Sequence, residues 1–170
     1  MRIYMAVAMF CLTCTACPAE PMPERRDNDI FLNIGSSSTK TNLGYGWGRG
    51  ERHGEMNMRW VRRLEADVKF HVDEATDMDV WVSAAPITIE GLRQNFGMFI
   101  NNRYVTEWEC PDEPAMHDYH AEVPAQFFRK GENVLTLRMG HLRVPPGDQR
   151  YLSLAVDKIL CRPKTKQADR

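Results

Sequence analysis

The sequence predicts an antiparallel β-sandwich or jelly roll of about eight strands, and three observations carry that prediction. Leu64 to Val72 alternates without a break, with Leu, Ala, Val, Phe and Val on one face and Glu, Asp, Lys and His on the other. That period of two is the mark of a strand with one face on a core and the other in water. Further short runs of the same kind follow at intervals of roughly 8–15 residues, separated by Asn, Gly, Pro and Asp turn signals. No segment carries apolar residues at helical spacing over three turns; the best candidate, Ala125 to Arg129, is about one turn. The absence of an internal repeat argues against a propeller or a solenoid.

Taken from the amino terminus, the first element is an export segment. Arg2 precedes a run from Ile3 to Ala16 with no charge, Pro or Gly, which ends at Thr15-Ala16-Cys17 before a polar, Pro-rich stretch. A positive start, a short apolar middle and a small residue at the cut form a secretory signal, predicted over 1–16. The run is shorter than the ~20 apolar residues that a bilayer-spanning helix needs. Residues 17–28 lack apolar periodicity and are expected to be a flexible tether. The sandwich domain is placed at 29–162 and a disordered tail at 163–170.

Within the domain the expected strands are Ile30 to Ile34, Leu64 to Val72, Met78 to Ser83, Asn95 to Ile100, Tyr104 to Trp108, Tyr119 to Val123, Val134 to Met139 and Tyr151 to Ile159. Their turns are read at Asp73-Glu74, Glu90-Gly91, Asn101-Asn102, Lys130 to Asn133 and Pro145 to Asp148. The 170 residues make one ordinary domain, and 22 basic against 23 acidic side chains supply no field to hold phosphates. No nucleic-acid partner is therefore expected.

Two resemblances follow from these residues. Thr15-Ala16-Cys17 resembles the cleavage site of a bacterial lipoprotein signal, which implies lipidation of Cys17 and anchoring in the cell envelope; cleavage after Ala16 or Ala19, giving a periplasmic or secreted protein, is the alternative. Asn95 to Trp108, a strand, an Asn-type turn and a strand ending in Trp, resembles a hairpin of galactose-binding-like jelly-roll domains. Val123-Pro124-Ala125 with Gly131-Glu132-Asn133-Val134-Leu135-Thr136-Leu137, and the closing run Asp148 to Ile159, resemble signatures of the same group. Gly46-Trp47, Glu51 and Arg59-Trp60 resemble the opening of a variant attached to bacterial envelope sugar-modifying proteins. The resemblance covers about residues 43 to 160 and implies a carbohydrate-binding-module-like sandwich. In an oxidising compartment, with Cys17 blocked, the remaining Cys110 and Cys161 are expected to form a disulfide.

Candidate ligand residues are Trp47, Arg49, Glu51, Trp81 and Trp108. Aromatic rings present a rigid apolar face at small entropic cost, and Met78 to Ser83 sorts Asp79, Trp81 and Ser83 away from the core side. Trp108 is read on one face with Tyr104 and Thr106. Leu43 to Glu55 packs five glycines, two aromatics, two Arg, two Glu and a His into thirteen residues. It is either a ligand loop, with Arg and Glu forking hydrogen bonds, or an irregular crossover in which Trp47 plugs one end of the sandwich and Glu51 pairs with Arg59 or Arg150. His117 and His120, three apart on a strand, face opposite sides, so no metal site is expected there. Asp73, Glu74, Asp77 and Asp79 could cup a structural calcium ion, although the spacing is not that of an EF-hand; no other cofactor is expected.

No Gly-x-Ser-x-Gly elbow is present, and Gly35-Ser36-Ser37-Ser38 has no neighbouring pattern to activate a hydroxyl. The protein is therefore expected not to be an enzyme. The leading expectation is an exported, lipid-anchored β-sandwich that binds an envelope or extracellular glycan. An adaptor lipoprotein making contacts with an envelope protein is the alternative, and a sugar or sugar-ester hydrolase a weaker one. The membrane enters only through the lipid anchor.

Overall fold

Ten strands and two short 3-10 turns are formed in a computed structural model that describes residues 20–164. The strands are β1 (Ile30–Asn33), β2 (Trp47–His53), β3 (Met56–Val61), β4 (Glu65–Val72), β5 (Met78–Pro86), β6 (Asn95–Ile100), β7 (Arg103–Glu109), β8 (His117–Val123), β9 (Gly131–Met139) and β10 (Leu154–Pro163). They make two antiparallel sheets. The larger has six strands, in the order β2-β3-β10-β5-β8, with β1 alongside the second half of β10; the smaller runs β4-β9-β6-β7. The expected antiparallel β-sandwich is the fold observed. The signal at 1–16, the lipidation site Cys17 and residues 165–170 lie outside the described residues.

The alternation read in the sequence sets which side chains meet between the sheets. Ala66, Val68, Phe70 and Val72 of β4 face Val80, Val82 and Ala84 of β5 and Leu154, Val156 and Ile159 of β10 across one core, with Phe96, Met98 and Ile100 of β6 beside them. Each fully buried aliphatic or aromatic side chain of this kind contributes about 1.5–3 kcal/mol over leaving it in water. The register of β6 on β7 is fixed by the turn Asn101-Asn102, both at positive φ (51° and 65°), which Asn tolerates better than other side-chain-bearing residues. The Gly131-Glu132-Asn133 motif also has a local cause. Gly131 takes φ 97°, and fully buried Asn133 accepts from the Arg129 amide and donates to the carbonyls of Arg129 and Gly131, closing the turn that launches β9.

The structure differs from the sequence expectation in three respects. Two strands beyond the expected eight, β2 and β3, form an edge hairpin out of the glycine-rich stretch and the residues after it. Residues 20–28, expected as tether, lie as a strap along the outer face of the six-stranded sheet. Their contacts recur every two or three residues: Glu20 lies 3.2 Å from His120, the Met22 amide donates to Asp118 (2.8 Å), and Arg162 donates to the Glu24 carbonyl (2.6 Å). Third, Cys110 and Cys161 are both free and buried, which corrects the expected disulfide. Cys161 sits on β10 of the six-stranded sheet opposite Val80, whereas Cys110 follows the end of β7 of the other sheet, with its side chain beside Tyr119. Burial pushes the Cys110 thiol up to about 11 and the Cys161 thiol up to about 12, so both stay protonated and inert.

Candidate functional site

The five ligand candidates do not converge. Trp47 opens β2, packs against the core edge and donates through Nε1 to the Asp67 carbonyl of β4 (2.7 Å), so it closes one end of the sandwich between the two sheets. The crossover leading to it demands glycine: Gly46 has φ 93°, and a Cβ there would lie 1.9 Å from the Glu65 carbonyl oxygen. Arg49 is exposed on the edge strand. Glu51 pairs with Arg150, which Asp148 also holds (2.7 Å), while Arg59 is committed to the carbonyls of Ile34 (2.7 Å) and Gly48 (3.1 Å). Leu43 to Glu55 is thus a structural crossover and hairpin, and the Glu51 partner is Arg150.

Trp81 does point away from the core, as the alternation of β5 predicts, yet it is only 4% exposed. The His120 ring stacks on it at 4.5 Å, the Arg162 guanidinium lies 5.7 Å from its ring, and the strap 20–28 passes over that face. With Glu20, Arg26, Asp79, His120 and Lys164, Trp81 lines a polar cleft of about 370 Å³. Trp108 faces inward, 5.1 Å from Phe96 and 5.8 Å from Tyr119. It does not share a face with Tyr104, because β7 carries a bulge: Met98 pairs with Thr106 but Phe99 with Tyr104, leaving Val105 as the extra residue. Beyond the bulge the alternation inverts, so Tyr104 turns outward.

The acids of the proposed calcium cup are dispersed: Asp73 beside His71 (3.5 Å), Asp77 accepting from the Ala125 amide (2.7 Å), and Asp79 between His120 (3.1 Å) and Lys164 (3.3 Å). Among the described residues no three His, Cys, Asp or Glu side chains gather to hold a metal. His117, 3.2 Å from Glu113, and His120, on Trp81, point apart. A second depression, of about 430 Å³, lies at residues 88–93 and Asp112; no aromatic lines it, and its Arg93 is engaged by Glu109 (3.5 Å) and Asp112 (3.2 Å).

The arrangement suited to a ligand is one that sequence reasoning missed, on the outer face of the four-stranded sheet. Two adjacent rungs cross all four strands: Glu65, Arg138, Gly97 and Glu107 in one, Asp67, Thr136, Phe99 and Tyr104 in the next. Tyr104 is 57% exposed and meets Phe99 edge to face, with centroids 5.5 Å apart. The Arg138 guanidinium lies 4.2 Å from the centre of the Phe99 ring and donates to Glu65 (2.8 Å). Gly97 leaves the space into which the Phe99 ring leans, since a Cβ there would already be 3.4 Å from it. Thr136 donates to Asp67 (2.7 Å) and Asn95 to Glu107 (2.6 Å), so the carboxylates flanking the aromatic pair are oriented before any ligand arrives. An aromatic pair bordered by fixed acceptors can stack on an apolar ring face and take hydrogen bonds from hydroxyls around its rim. The signal was in the sequence, as the two residues flanking the Asn-Asn turn region; the bulge that turns Tyr104 outward has no mark in composition or period.

No family model matches the chain, and no curated protein matches it. Solved structures do. The GH26-CBM35 beta-(1,4)-mannanase of Podospora anserina superposes with a TM-score of 0.57 at 13% identity over 82% of this chain, which spans 28% of the mannanase chain. A family 35 carbohydrate binding module from Clostridium thermocellum gives 0.53 at 11% identity, and the CBM36-1 domain of a multidomain xylanase from the hindgut metagenome of Trinervitermes trinervoides gives 0.53 at 9%. Each of these two matches covers 81% of this chain and 99% of the module. The chain therefore shares its antiparallel β-sandwich fold with carbohydrate-binding modules.

Proposed function

We propose that this protein is an exported, lipid-anchored and non-catalytic carbohydrate-binding protein that takes saccharide on the outer face of the four-stranded sheet. The observation that carries the reading is the Tyr104–Phe99 pair with Glu65, Asp67 and Glu107 fixed around it. The fold shared with carbohydrate-binding modules supports it, as does the exposure of Tyr104, which no strap or loop among the described residues covers. Export and lipidation of Cys17 rest on the amino-terminal segment, where a charged residue, an apolar run and small residues precede a cysteine. An envelope or extracellular glycan is the ligand class that fits this location.

Affinity electrophoresis and calorimetry of the purified full chain against mannan, xylan, galactan and bacterial envelope glycans test the reading. Retention by at least one of them is expected, with an affinity loss of about tenfold or more, ~1.4 kcal/mol, for Tyr104→Ala. Retention by none, or retention that Tyr104→Ala leaves intact, overturns the assignment of this face. Intact mass of the protein from the membrane fraction tests the anchor: lipid on Cys17 adds a large increment to the chain beginning at that residue.

A further inference from the structure

We propose that the Tyr104 face selects sugar chains bearing free, protonated amino groups over neutral and acidic ones. This selectivity rests on the saccharide-binding reading of the face and narrows it to a class of sugar.

Charge on the face is not balanced. The two rungs that carry the aromatic pair hold three carboxylates, Glu65, Asp67 and Glu107, against one guanidinium, Arg138. Arg138 is already spent: it donates to Glu65 (2.8 Å) and lies 4.2 Å from the centre of the Phe99 ring. Asp67 and Glu107 are held by neutral donors, the Thr136 hydroxyl (2.7 Å) and the Asn95 side-chain amide (2.6 Å). Those hydrogen bonds aim the two carboxylates without neutralising them. Neighbouring cations are engaged elsewhere. Lys69 pairs with Glu132 (3.4 Å), Arg93 with Glu109 (3.5 Å) and Asp112 (3.2 Å), and the Arg103 guanidinium lies 4.2 Å from the centre of the Phe127 ring while donating to the Gln126 carbonyl. Among the described residues, two negative charges are thus left in excess beside the exposed Tyr104 ring.

A sugar hydroxyl can donate to either carboxylate, but a protonated amine brings both the donor and the missing charge. A charge-assisted hydrogen bond of that kind is about twice as strong as a neutral one. A uronate or sulfate in the same place meets like charge. The spacing of the two carboxylates adds a requirement of length. Asp67 stands on β4 and Glu107 on β7, with β9 and β6 between them, so their backbones are at least about 14 Å apart. A short chain with an amine on each residue matches that span better than a single ring, and its rings can stack along Tyr104 and Phe99 on the way.

The test titrates the full chain calorimetrically at about pH 5.5, where sugar amines carry their protons, with three oligosaccharides of equal length: a tetramer of β-1,4-linked glucosamine, its N-acetylated counterpart and a tetramer of galacturonate. An exposed charge pair is worth up to about fivefold in affinity, so two of them should make the glucosamine tetramer bind roughly tenfold more tightly than the acetylated one, with galacturonate weakest. The preference should shrink as salt is raised. In the double variant Asp67→Asn, Glu107→Gln, which keeps an acceptor for Thr136 and for Asn95, the preference should vanish while the acetylated tetramer binds as before. The same change of charge at exposed positions away from this face, Asp27→Asn with Glu55→Gln, should leave the preference intact. A preference lost in both double variants reflects only the net charge of the chain and overturns the proposal. Equal binding of the glucosamine and acetylated tetramers, both weakened by Tyr104→Ala, or tighter binding of galacturonate, overturns the amine preference and leaves the assignment of the face standing. Tetralysine bound as tightly as the glucosamine tetramer, with the same dependence on Tyr104, would mean that charge alone is read and overturns the sugar. Binding of none of the three oligosaccharides removes the saccharide reading and this inference together.

Discussion

The two sheets each turn an aromatic side chain outward, Trp81 on β5 and Tyr104 on β7, and the two end in opposite states. Trp81 is 4% exposed and Tyr104 57%. The alternation of each strand decides only which way its side chain points; what lies on top is decided elsewhere. Over Trp81 the chain itself returns as the strap, fastened by Asp29, Arg162 and His120. Over Tyr104 none of the described residues returns, and the surrounding carboxylates are held by partners in their own sheet instead. An outward aromatic is a packing element where the chain supplies a cover and a ligand platform where it does not.

The largest effect is expected at Trp81. Trp81→Ala removes the surface on which His120 and the strap rest and should cost about 3–5 kcal/mol, read as a lowered urea midpoint. Saccharide affinity of the molecules that remain folded should not change. Tyr104→Ala should do the reverse, with a stability change within about 0.5 kcal/mol and the loss of binding stated above. If both variants lose stability, Tyr104 is a packing residue and the contrast between the faces fails.

Next in size is the fastening. Arg162→Leu leaves the Asp29 carboxylate buried without its partner and should destabilise by about 3 kcal/mol; adding Asp29→Asn should recover most of that loss. Burial alone would raise the Asp29 carboxyl, but the Arg162 guanidinium and the Arg26 amide more than offset it and hold the group below its ordinary value. A carboxylate depressed in the folded state contributes stability that is present above its unfolded pKa and is lost as pH falls through the folded one. The urea midpoint of the wild type should therefore fall more steeply below about pH 4 than that of Asp29→Asn. Parallel curves would mean that the strap is not held by this charge.

Much of the fold was legible because it is written in periods. β4 to β6 and β9 announce themselves by alternation, and the Gly131-Glu132-Asn133 turn by the residues its geometry needs. β2 and β3 were not legible: Trp47-Gly48-Arg49-Gly50-Glu51 is an edge strand half in water, with no apolar face to alternate. For the site, the outward direction of Trp81 was readable from Met78 to Ser83, but its cover comes from distant parts of the chain, the strap on one side in sequence and His120 and Arg162 on the other. The face of Trp108 was misread because one extra residue, Val105, inverts the period. The disulfide failed for a related reason, since two cysteines in a spacing carry no information on which sheet each occupies.

The smallest effect is expected beneath the strap. Asp157 sits at the bulge of β10, where burial raises its carboxyl, the negative charge of Asp118 adds to the shift, and Lys158 at 3.7 Å offsets only part of it. A carboxyl raised in the folded state costs stability while it is charged, and the cost is relieved as pH falls through its folded pKa. Asp157→Asn should therefore stabilise the protein at pH 7 by about 0.5 kcal/mol, and the gain should shrink as the medium is acidified toward the range where the wild-type carboxyl takes up its proton. Because Asp118 is the acceptor for the Met22 amide, easing its repulsion should also slow hydrogen exchange at that amide. Faster exchange at Met22, or a loss of stability at pH 7, would place Asp157 among the groups that hold the strap down rather than those that strain it.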